Sequence, residues 1–430
     1  MPENYLPRIV DNILAERLEA VGAVLIAGPK WCGKTTTAEQ QAKSVLKLQD
    51  PDKTQGYLKT AEVKPSLLLK GENPRLIDEW QMAPVLWDAV RSAVDERGEE
   101  GLFILTGSTT VDSSTIMHSG TGRISRMVMY PMSLYESEES NGQISLHALF
   151  ETPEMDIDGI MSNLTVEELV FAACRGGWPS SLTKKTEKAQ LFVSQNYVDN
   201  ICDSDASTVD GVKRSSERVR AVLRSYARNL STLASEKTIL DDVAANYSDI
   251  TSPTLSSYVD ALEKLYVIEN VPAWCPAIRS ASAMRSGKKR EFVDPSIAVA
   301  ALGLPPDGLL VDLNTFGFIF ECLCIRDLKA YSSAWNGNVS YYHDRYGLEA
   351  DCVLHLSDGR YALIEFKLGS REIEEGAAHL CQLKQLIREA NEKKGPRIRE
   401  PDLLIVLTGG EMAYTRNDGV KVIPIGTLRN

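Results

Sequence analysis

The sequence predicts a multidomain α/β protein, and three patterns carry that expectation. Apolar strands alternate with helical stretches from Ala23 to Ser108. A mostly helical region runs from 165 to 266. After about 312 the order is helix, three strands, helix, strand. Strands that alternate with helices imply a parallel sheet. A chain of 430 residues accommodates about three domains at roughly 150 residues each.

Each element has a local reason. Ile9, Ile13, Leu14 and Leu18 share one face of a helix over 8–20. Ala23-Val24-Leu25-Ile26-Ala27 is a buried-type strand that runs into a glycine-bearing turn and a helix from Thr36. A second strand falls in 44–50. Leu76-Ile77 leads into Asp78-Glu79, a helix spans Pro84 to Glu96, and Leu102 to Leu105 ends at Thr106-Gly107-Ser108. The stretch 137–165, rich in Ser, Glu, Asp and Gly, reads as a loop or short linker. Helices follow at Arg218–Ser231, Thr238–Ala245 and Pro253–Leu265, with Ser252 as N-cap before a proline in the first turn. An extended Val267 to Val271 after them suggests a winged helix. The expected domains are 1–140, 141–212 (a helical connection), 213–311 (winged-helix-like) and 312–430.

Hydrophobic residues at 43% and charged residues at 25% exclude a disordered or fibrous chain. A net charge of -12 and a pI near 5.1 argue against non-specific coating of nucleic acid or anionic membrane. The eight cysteines form no C-x-x-C pair, which argues against a zinc ribbon or a thioredoxin-like site. Free thiols, no signal-peptide pattern and no apolar run long enough to span a bilayer lead to a cytoplasmic protein with no membrane partner as the expectation.

Gly28-Pro29-Lys30-Trp31-Cys32-Gly33-Lys34-Thr35 fits the Walker A pattern in full, with a strand before it and a helix from Thr36 after it. Such a loop turns its backbone amides toward phosphate oxygens at a helix N-terminus. Gly28 to Thr36 is therefore the expected ATP cradle, with Lys34 on the β and γ phosphates and the Thr35 hydroxyl on Mg2+. Asp78 would hold that magnesium through water, and Glu79 would act as general base toward the attacking water. Ser108, in Thr106-Gly107-Ser108, occupies the position of a γ-phosphate sensor or of a plain strand-end turn. Arg123 is a candidate to neutralise charge on the γ-phosphate, with Arg126 as rival and a surface salt bridge as the alternative.

A family resemblance rests on these residues. The Walker A loop, Leu76-Ile77-Asp78-Glu79-Trp80-Gln81, Leu105-Thr106-Gly107-Ser108 and Gly122-Arg123…Tyr130-Pro131-Met132-Ser133-Leu134-Tyr135-Glu136 come in the order seen in a prokaryotic group of AAA-type P-loop ATPases with a C-terminal domain of unknown function. Tyr258 to Leu265, Phe292-Val293-Asp294-Pro295, Gly317 to Glu321 and Leu348 to Lys367 resemble the C-terminal half of that family. The resemblance implies an AAA-type ATPase fold in front and a winged-helix-like middle.

The helix Pro253–Leu265 presents Thr254, Ser257, Asp260, Glu263 and Lys264, a poor set for reading base edges. The better basic candidates for DNA are Lys213, Arg214, Arg218, Arg220, Arg224, Arg228 and the loop Arg285, Lys288, Lys289, Arg290. The competing expectation is an interdomain or protein-binding module, and a homo-oligomer is a further expectation.

Leu348-Glu349-Ala350-Asp351…Ile364-Glu365-Phe366-Lys367 resembles the PD-(D/E)xK nuclease motif, in which two acids bind magnesium and a lysine positions or activates water. A three-residue loop Ser357-Asp358-Gly359 sets Asp351 opposite Glu365 and Glu349 opposite Lys367. In that register Cys352, Leu354 and Leu356 share an apolar face with Ala362, Ile364 and Phe366. Glu321, in an apolar helix, is the expected third metal-facing carboxylate. The expected C-terminal site is Asp351, Glu365 and Lys367 for catalysis, with Glu321, Asp351 and Glu365 toward the metal. The alternative is a catalytically inert nuclease fold with a salt-bridged Glu365–Lys367 pair.

Overall fold

The computed structural model describes residues 5–109, 119–275, 287–392 and 397–430. The chain divides into two units, one of residues 1–130 with 264–266, the other of 131–263 with 267–430.

The first unit is a parallel sheet flanked by helices. Strands β1 (Ala23–Ala27), β2 (Ser44–Lys47), β3 (Arg75–Asp78), β4 (Phe103–Gly107) and β5 (Ile124–Val128) lie in the order β2-β3-β4-β1-β5. β1 and β4 are buried at every position. That is why they read as unbroken apolar runs rather than as alternating ones. The helix Val85–Arg97 buries Leu86, Trp87, Val90 and Val94 against the sheet and ends at Gly98 with φ +61, the left-handed stop a helix needs there. The register sets Ala27 beside Gly107, so the carboxyl ends of β1 and β4 coincide. In open parallel sheets that edge is where ligands bind.

The second unit is built on a six-stranded mixed sheet in the order β11-β12-β10-β9-β8-β7. Its strands are β7 (Asn338–His343), β8 (Glu349–His355), β9 (Tyr361–Lys367), β10 (Leu403–Thr408), β11 (Tyr414–Thr415) and β12 (Lys421–Pro424). β7–β8 and β8–β9 run antiparallel, and β9–β10 and β10–β12 run parallel. The helix Ile373–Glu392 buries Ile373, Ala377, Leu380, Leu383 and Ile387 in one cluster with Val353, Leu363 and Tyr361. Before this sheet come helices Val166–Arg175, Glu187–Asn200, Ser216–Arg228, Glu236–Ala244, Ser252–Lys264 and Pro295–Leu302. The Ser252–Lys264 helix is capped one residue earlier than expected, by Thr251, whose hydroxyl accepts the Thr254 amide at 3.4 Å. The extended segment after it pairs with residues 289–292 through Ile268–Phe292 and Val271–Lys289.

The stretch 137–165 is not a linker. Ile144-Ser145 forms β6, which pairs in parallel with β13, Leu428-Arg429. The Asn141 amide donates to Gly426, the Ser162 amide to Glu411, and the Thr415 amide to Asp158 Oδ1 at 2.7 Å. Its polar composition fits a sheet edge whose partners lie near the end of the chain, a pairing that local composition does not reveal.

A buried ionic group ties this unit together. Arg326 bridges Asp294 (3.1 Å) and Asp327 (2.7 Å), and all three are almost fully buried. Asp327 Oδ2 accepts the Leu134 amide at 3.1 Å, and Asp294 Oδ2 accepts the Gly177 amide at 2.9 Å. Burial drives Asp327 up to about 6 against the pull of Arg326. Among the described residues no helix is long and apolar enough to cross a membrane.

Candidate nucleotide site and C-terminal carboxylate cluster

The turn after β1 has the shape a phosphate cradle requires. Gly28 sits at φ +144, and a Cβ there would lie 2.3 Å from the Met129 carbonyl oxygen. Only glycine lets the loop pass so close to β5's continuation. Gly33 at φ +101 delivers the chain into the helix Lys34–Gln41. The Lys34 ammonium folds over the loop and donates to the carbonyls of Gly28 (3.0 Å) and Pro29 (2.6 Å). Trp31 stands at φ +65 with its ring part-exposed, and Cys32 is buried with its thiol 3.5 Å from the Met129 oxygen. Lys30 and Thr36 complete the loop and the first turn of the helix.

The ends of β3 and β4 meet this loop. Thr35 Oγ1 donates to Asp78 Oδ1 at 2.6 Å, and Thr106 Oγ1 donates to the same oxygen at 2.6 Å. Glu79 lies in the left-handed region at φ +56, and its amide donates to Thr106 Oγ1. Its carboxylate Oε2 accepts Ser108 Oγ at 3.0 Å and also the Gln81 side-chain amide. Asp78 and the Thr35 hydroxyl are thus the pair that would hold a cation beside the phosphates. Glu79 is fixed next to them by Ser108 and Gln81. Arg75, which breaks the apolar lead into Asp78, sits at the opposite end of β3 and donates to Leu68 O and Ser44 Oγ.

Two expectations about arginines change. Arg123 precedes β5, whose first residue, Ile124, pairs with the first residue of β1. It therefore lies at the amino edge of the sheet, a strand length away from Gly28, and its guanidinium pairs with Asp95 at 2.7 Å. The structure does not bring it to the phosphate loop of its own chain. Arg126 lies over the Trp87 ring, 4.8 Å from its centroid. The arginine that does touch the loop is Arg8, which the sequence reading passed over. Its buried guanidinium donates to Cys32 O at 2.7 Å and Tyr130 O at 2.9 Å. A short Tyr5–Asp11–Thr37 network flanks it, with Tyr5 bonded to both at 2.7 and 2.9 Å. Pro7-Arg8 directly before an apolar helix was the available signal, but a lone arginine there has no local pattern to mark it.

The hairpin β8–β9 turns at Ser357-Asp358-Gly359, with Gly359 at φ +90 and Leu356 donating to Arg360. Cys352 pairs with Ile364 and Leu354 with Ala362, the register in which Asp351 stands across from Glu365. Yet the acids do not gather around one point. On the other side of β8 the register jumps: Ser340 pairs with Val353 but Tyr342 pairs with Ala350. Two residues of β8, Asp351 and Cys352, therefore oppose the single Tyr341, which is a bulge. Ala350 and Val353, three apart, consequently share one core cluster, and the simple two-residue alternation fails at Asp351.

The side chains sort into two groups. Glu365, with no exposed surface, pairs with Lys367 at 2.9 Å and has His379 at 3.9 Å. Burial, then the Asp351 charge, pushes the Glu365 carboxyl up to about 8. Asp351 Oδ2 accepts the Phe366 amide at 2.9 Å, while Oδ1 faces the Lys289 ammonium at 3.5 Å. That same ammonium pairs closely with Glu321. Burial raises Glu321 well above the usual carboxylate range, with Lys289 opposing. Among the described residues no three His, Cys, Asp or Glu side chains are grouped so as to hold a metal. The expected set Glu321, Asp351 and Glu365 is divided between two lysines.

The basic candidates for DNA are largely engaged. Arg214 is buried against Asp210 and Ser257. Arg218 pairs with Asp249, Arg220 with Asp199 and Asp203, and Arg228 with Asp242. Lys289 and Arg290 are buried, so they are not part of an exposed basic loop. Arg285 lies outside the described residues.

Comparison with known proteins adds family matches over three stretches of the chain. Residues 21–138 match the family model of an AAA domain. Residues 166–308 match one domain of unknown function, DUF8612, and residues 316–428 match another, DUF4143. Among solved structures, the chain is similar to the Walker-type ATPase PABY2304 of Pyrococcus abyssi, at 16% identity over 70% of this chain and 97% of that one, with a TM-score of 0.43. No curated protein matches. The AAA-domain match and the geometry around Gly28 to Glu79 together support an AAA-type P-loop ATPase.

Proposed function

We propose that this chain hydrolyses ATP in a magnesium-dependent reaction at the Gly28–Thr36 loop. The observation that carries the reading is the 2.6 Å bond from Thr35 to Asp78, with Glu79 held beside it by Ser108. Those residues fit a hard cation, because a hydroxyl and a carboxylate are oxygen donors. A magnesium ion held by Thr35 and Asp78 would supply positive charge beside the phosphates. Lys34 leaves the loop carbonyls to bind the β and γ phosphates. Glu79 orients a water in line with the γ-phosphorus and accepts its proton as the new P–O bond forms and the bond to ADP breaks. Ser108 contacts the γ-phosphate from the end of β4. Arg123, remote from its own loop, would serve a neighbouring copy in a homo-oligomer.

The remainder of the chain is read as follows. Helices Ser216–Arg228, Glu236–Ala244 and Ser252–Lys264 with the paired segments 267–271 and 289–293 form a winged-helix-like module. Residues 312–430, joined by 141–165, form a PD-(D/E)xK-like domain whose action on DNA is gated by ATP. A second reading, an ATP-driven switch for protein partners acting in the cytoplasm, is favoured by one observation: Lys289 and Lys367 already pair with Glu321, Asp351 and Glu365. The ATPase reading is tested with Lys34→Ala, expected to lose binding of an ATP analogue, and Glu79→Gln, expected to bind it and not turn over. Unchanged turnover in Glu79→Gln removes Glu79 from its role. Magnesium-dependent nicking of plasmid DNA by the parent, lost in Asp351→Ala, separates the nuclease reading from the switch.

A further inference from the structure

Gln81 lies in the first unit, two residues past Glu79, and no step of the ATPase reading uses it. Glu79, in the left-handed region at φ +56, leads into a single 3-10 turn, Trp80–Met82. Trp80 is buried in the core of that unit, with its ring centroid 5.0 Å from that of Trp87. The turn anchored in this way brings the Gln81 side chain back onto the Glu79 carboxylate and the end of β4. The Gln81 amide nitrogen donates to Glu79 Oε2 and reaches Ser108 Oγ at 3.4 Å. Ser108, which is buried, donates to the same Oε2 at 3.0 Å. Both bonds fall on Oε2, which leaves Oε1 to the attacking water.

The neighbours dictate the orientation of this amide. A carboxylate only accepts, so the nitrogen must face it. The Gln81 oxygen is then turned into a buried place where it meets no donor among the described residues. Gly107 keeps that place open, because a Cβ there would lie 3.2 Å from Gln81 Oε1 and 2.9 Å from Trp80 Nε1. A buried oxygen left unpaired costs stability. The amide therefore sits there in spite of its packing, for the two hydrogens it can give.

Counting those hydrogens shows what they do. A hydroxyl has one hydrogen to give and a side-chain amide has two. Ser108 gives its single hydrogen to Glu79. A γ-phosphate offers only acceptors, so Ser108 contacts it by turning that hydrogen away from Glu79. Glu79 would then lose a restraint at the moment it has to orient water. Gln81 keeps one hydrogen on Glu79 Oε2 and points the other at Ser108 Oγ.

We propose that Gln81 is a positioning residue of the ATPase site, holding Glu79 in place while Ser108 transfers its hydrogen bond from Glu79 to the γ-phosphate. ADP, which has no γ-phosphate, leaves Ser108 on Glu79. This inference rests on the ATPase reading, and Gln81 acts through Glu79 alone.

The test is steady-state and single-turnover ATP hydrolysis by the full chain with Mg2+, beside direct titration of a non-hydrolysable ATP analogue and thermal unfolding. Gln81→Met keeps the length of the side chain and removes both amide hydrogens. It is expected to lower kcat about tenfold or more, with KM and analogue affinity within about twofold of the parent. In the Glu79→Gln background the same change should leave the residual single-turnover rate where it is, because the two residues act as one unit. A structural effect on the phosphate loop would instead weaken analogue binding and act in both backgrounds. Gln81→Glu has the same shape and no amide hydrogen, so it should lose kcat at least as far, and it replaces Gln81→Met if thermal unfolding shows that variant to be misfolded. Where the parent turns ATP over, three results overturn the proposal alone: an unchanged kcat, a loss of kcat matched by a loss of analogue affinity, or a further loss in Glu79→Gln. A parent without turnover overturns the ATPase reading itself, and the proposal falls with it.

Discussion

Arg8→Met isolates the contact that fastens the phosphate loop to the end of β5. The guanidinium donates to Cys32 O at 2.7 Å and to Tyr130 O at 2.9 Å from a site 6% exposed. A hydrogen bond involving a charged group contributes about 1.5–3 kcal/mol, and a stranded buried carbonyl adds a desolvation cost. Methionine fills much of the volume and makes neither bond, so the ordered loop loses on the order of 3 kcal/mol. The Tyr5–Asp11–Thr37 bonds do not involve the lost group and remain. If the loop is competent for only a fraction of the time, the apparent dissociation constant rises by the inverse of that fraction. A loss of ~3 kcal/mol corresponds to ~100-fold. The expected result is therefore a dissociation constant for an ATP analogue raised between about tenfold and a hundredfold. Arg8→Lys should fall between, because an ammonium reaches one carbonyl more readily than two. The assay is titration with a fluorescent ATP analogue, paired with hydrogen exchange at the amides of 28–36. Unchanged affinity together with unchanged exchange in Arg8→Met refutes the reasoning.

Three further outcomes follow from the same structure. Gly177→Ala puts a Cβ 2.2 Å from the Met132 carbonyl oxygen, while the Met132 amide donates to Gly177; the two segments cannot part without losing that bond, so a cost of about 1–3 kcal/mol or more is expected in denaturant unfolding, and a change below ~0.5 kcal/mol counts against it. Gly28→Ala meets Met129 O at 2.3 Å in the same way and should weaken ATP-analogue binding at least tenfold in a direct titration. Glu365 is raised from 4.5 to about 8 in the folded chain: the folded state holds its proton where the unfolded state has lost it, so the stabilisation is full below the unfolded value and disappears as pH rises through the folded one. Stability should therefore decline between about pH 4.5 and 8, and Glu365→Gln should flatten that decline in unfolding midpoints measured across the range; a slope identical to the parent's would remove Glu365 as its source.

How far the sequence spoke differs between the two units, and the reason is the range of the interactions. The phosphate loop is a local device: glycines at positive φ, a strand before and a helix after are all encoded within a dozen residues, and Asp78 and Glu79 mark the end of the next strand but one. Arg8 and Arg123 show the limit. Each is an arginine beside an apolar element, but one folds onto Cys32 and the other stays at the amino edge beside Asp95. That difference is set by which end of β1 each residue reaches, a matter of sheet register and not of local composition. The segment 137–165 fails for the same reason, since its hydrogen bonds run to residues 411–430.

The C-terminal cluster shows a subtler failure, one in which the right register led to the wrong grouping. Apolar alternation correctly sets Cys352 against Ile364 and Leu354 against Ala362. Carrying that alternation one step further assumes an unbroken strand. The extra residue in β8 opposite Tyr341 changes the neighbours of Asp351 without changing its partner strand. A bulge leaves no trace in hydropathy when the residues on both sides, Ala350 and Val353, are equally apolar. Lys289 was misread for a related reason. In sequence it sits inside the basic run Lys288-Lys289-Arg290 and looks like a solvated loop, because the carboxylates that bury it, Glu321 and Asp351, come from a helix and a strand further along the chain. A lysine beside a buried Glu291 was the available hint: an exposed basic loop has no use for Glu-Phe-Val, which here continues the strand into the core at Phe292 and Val293. The charge of Lys289 therefore belongs to the interior of the second unit, and any chemistry at Asp351 has to reckon with it first.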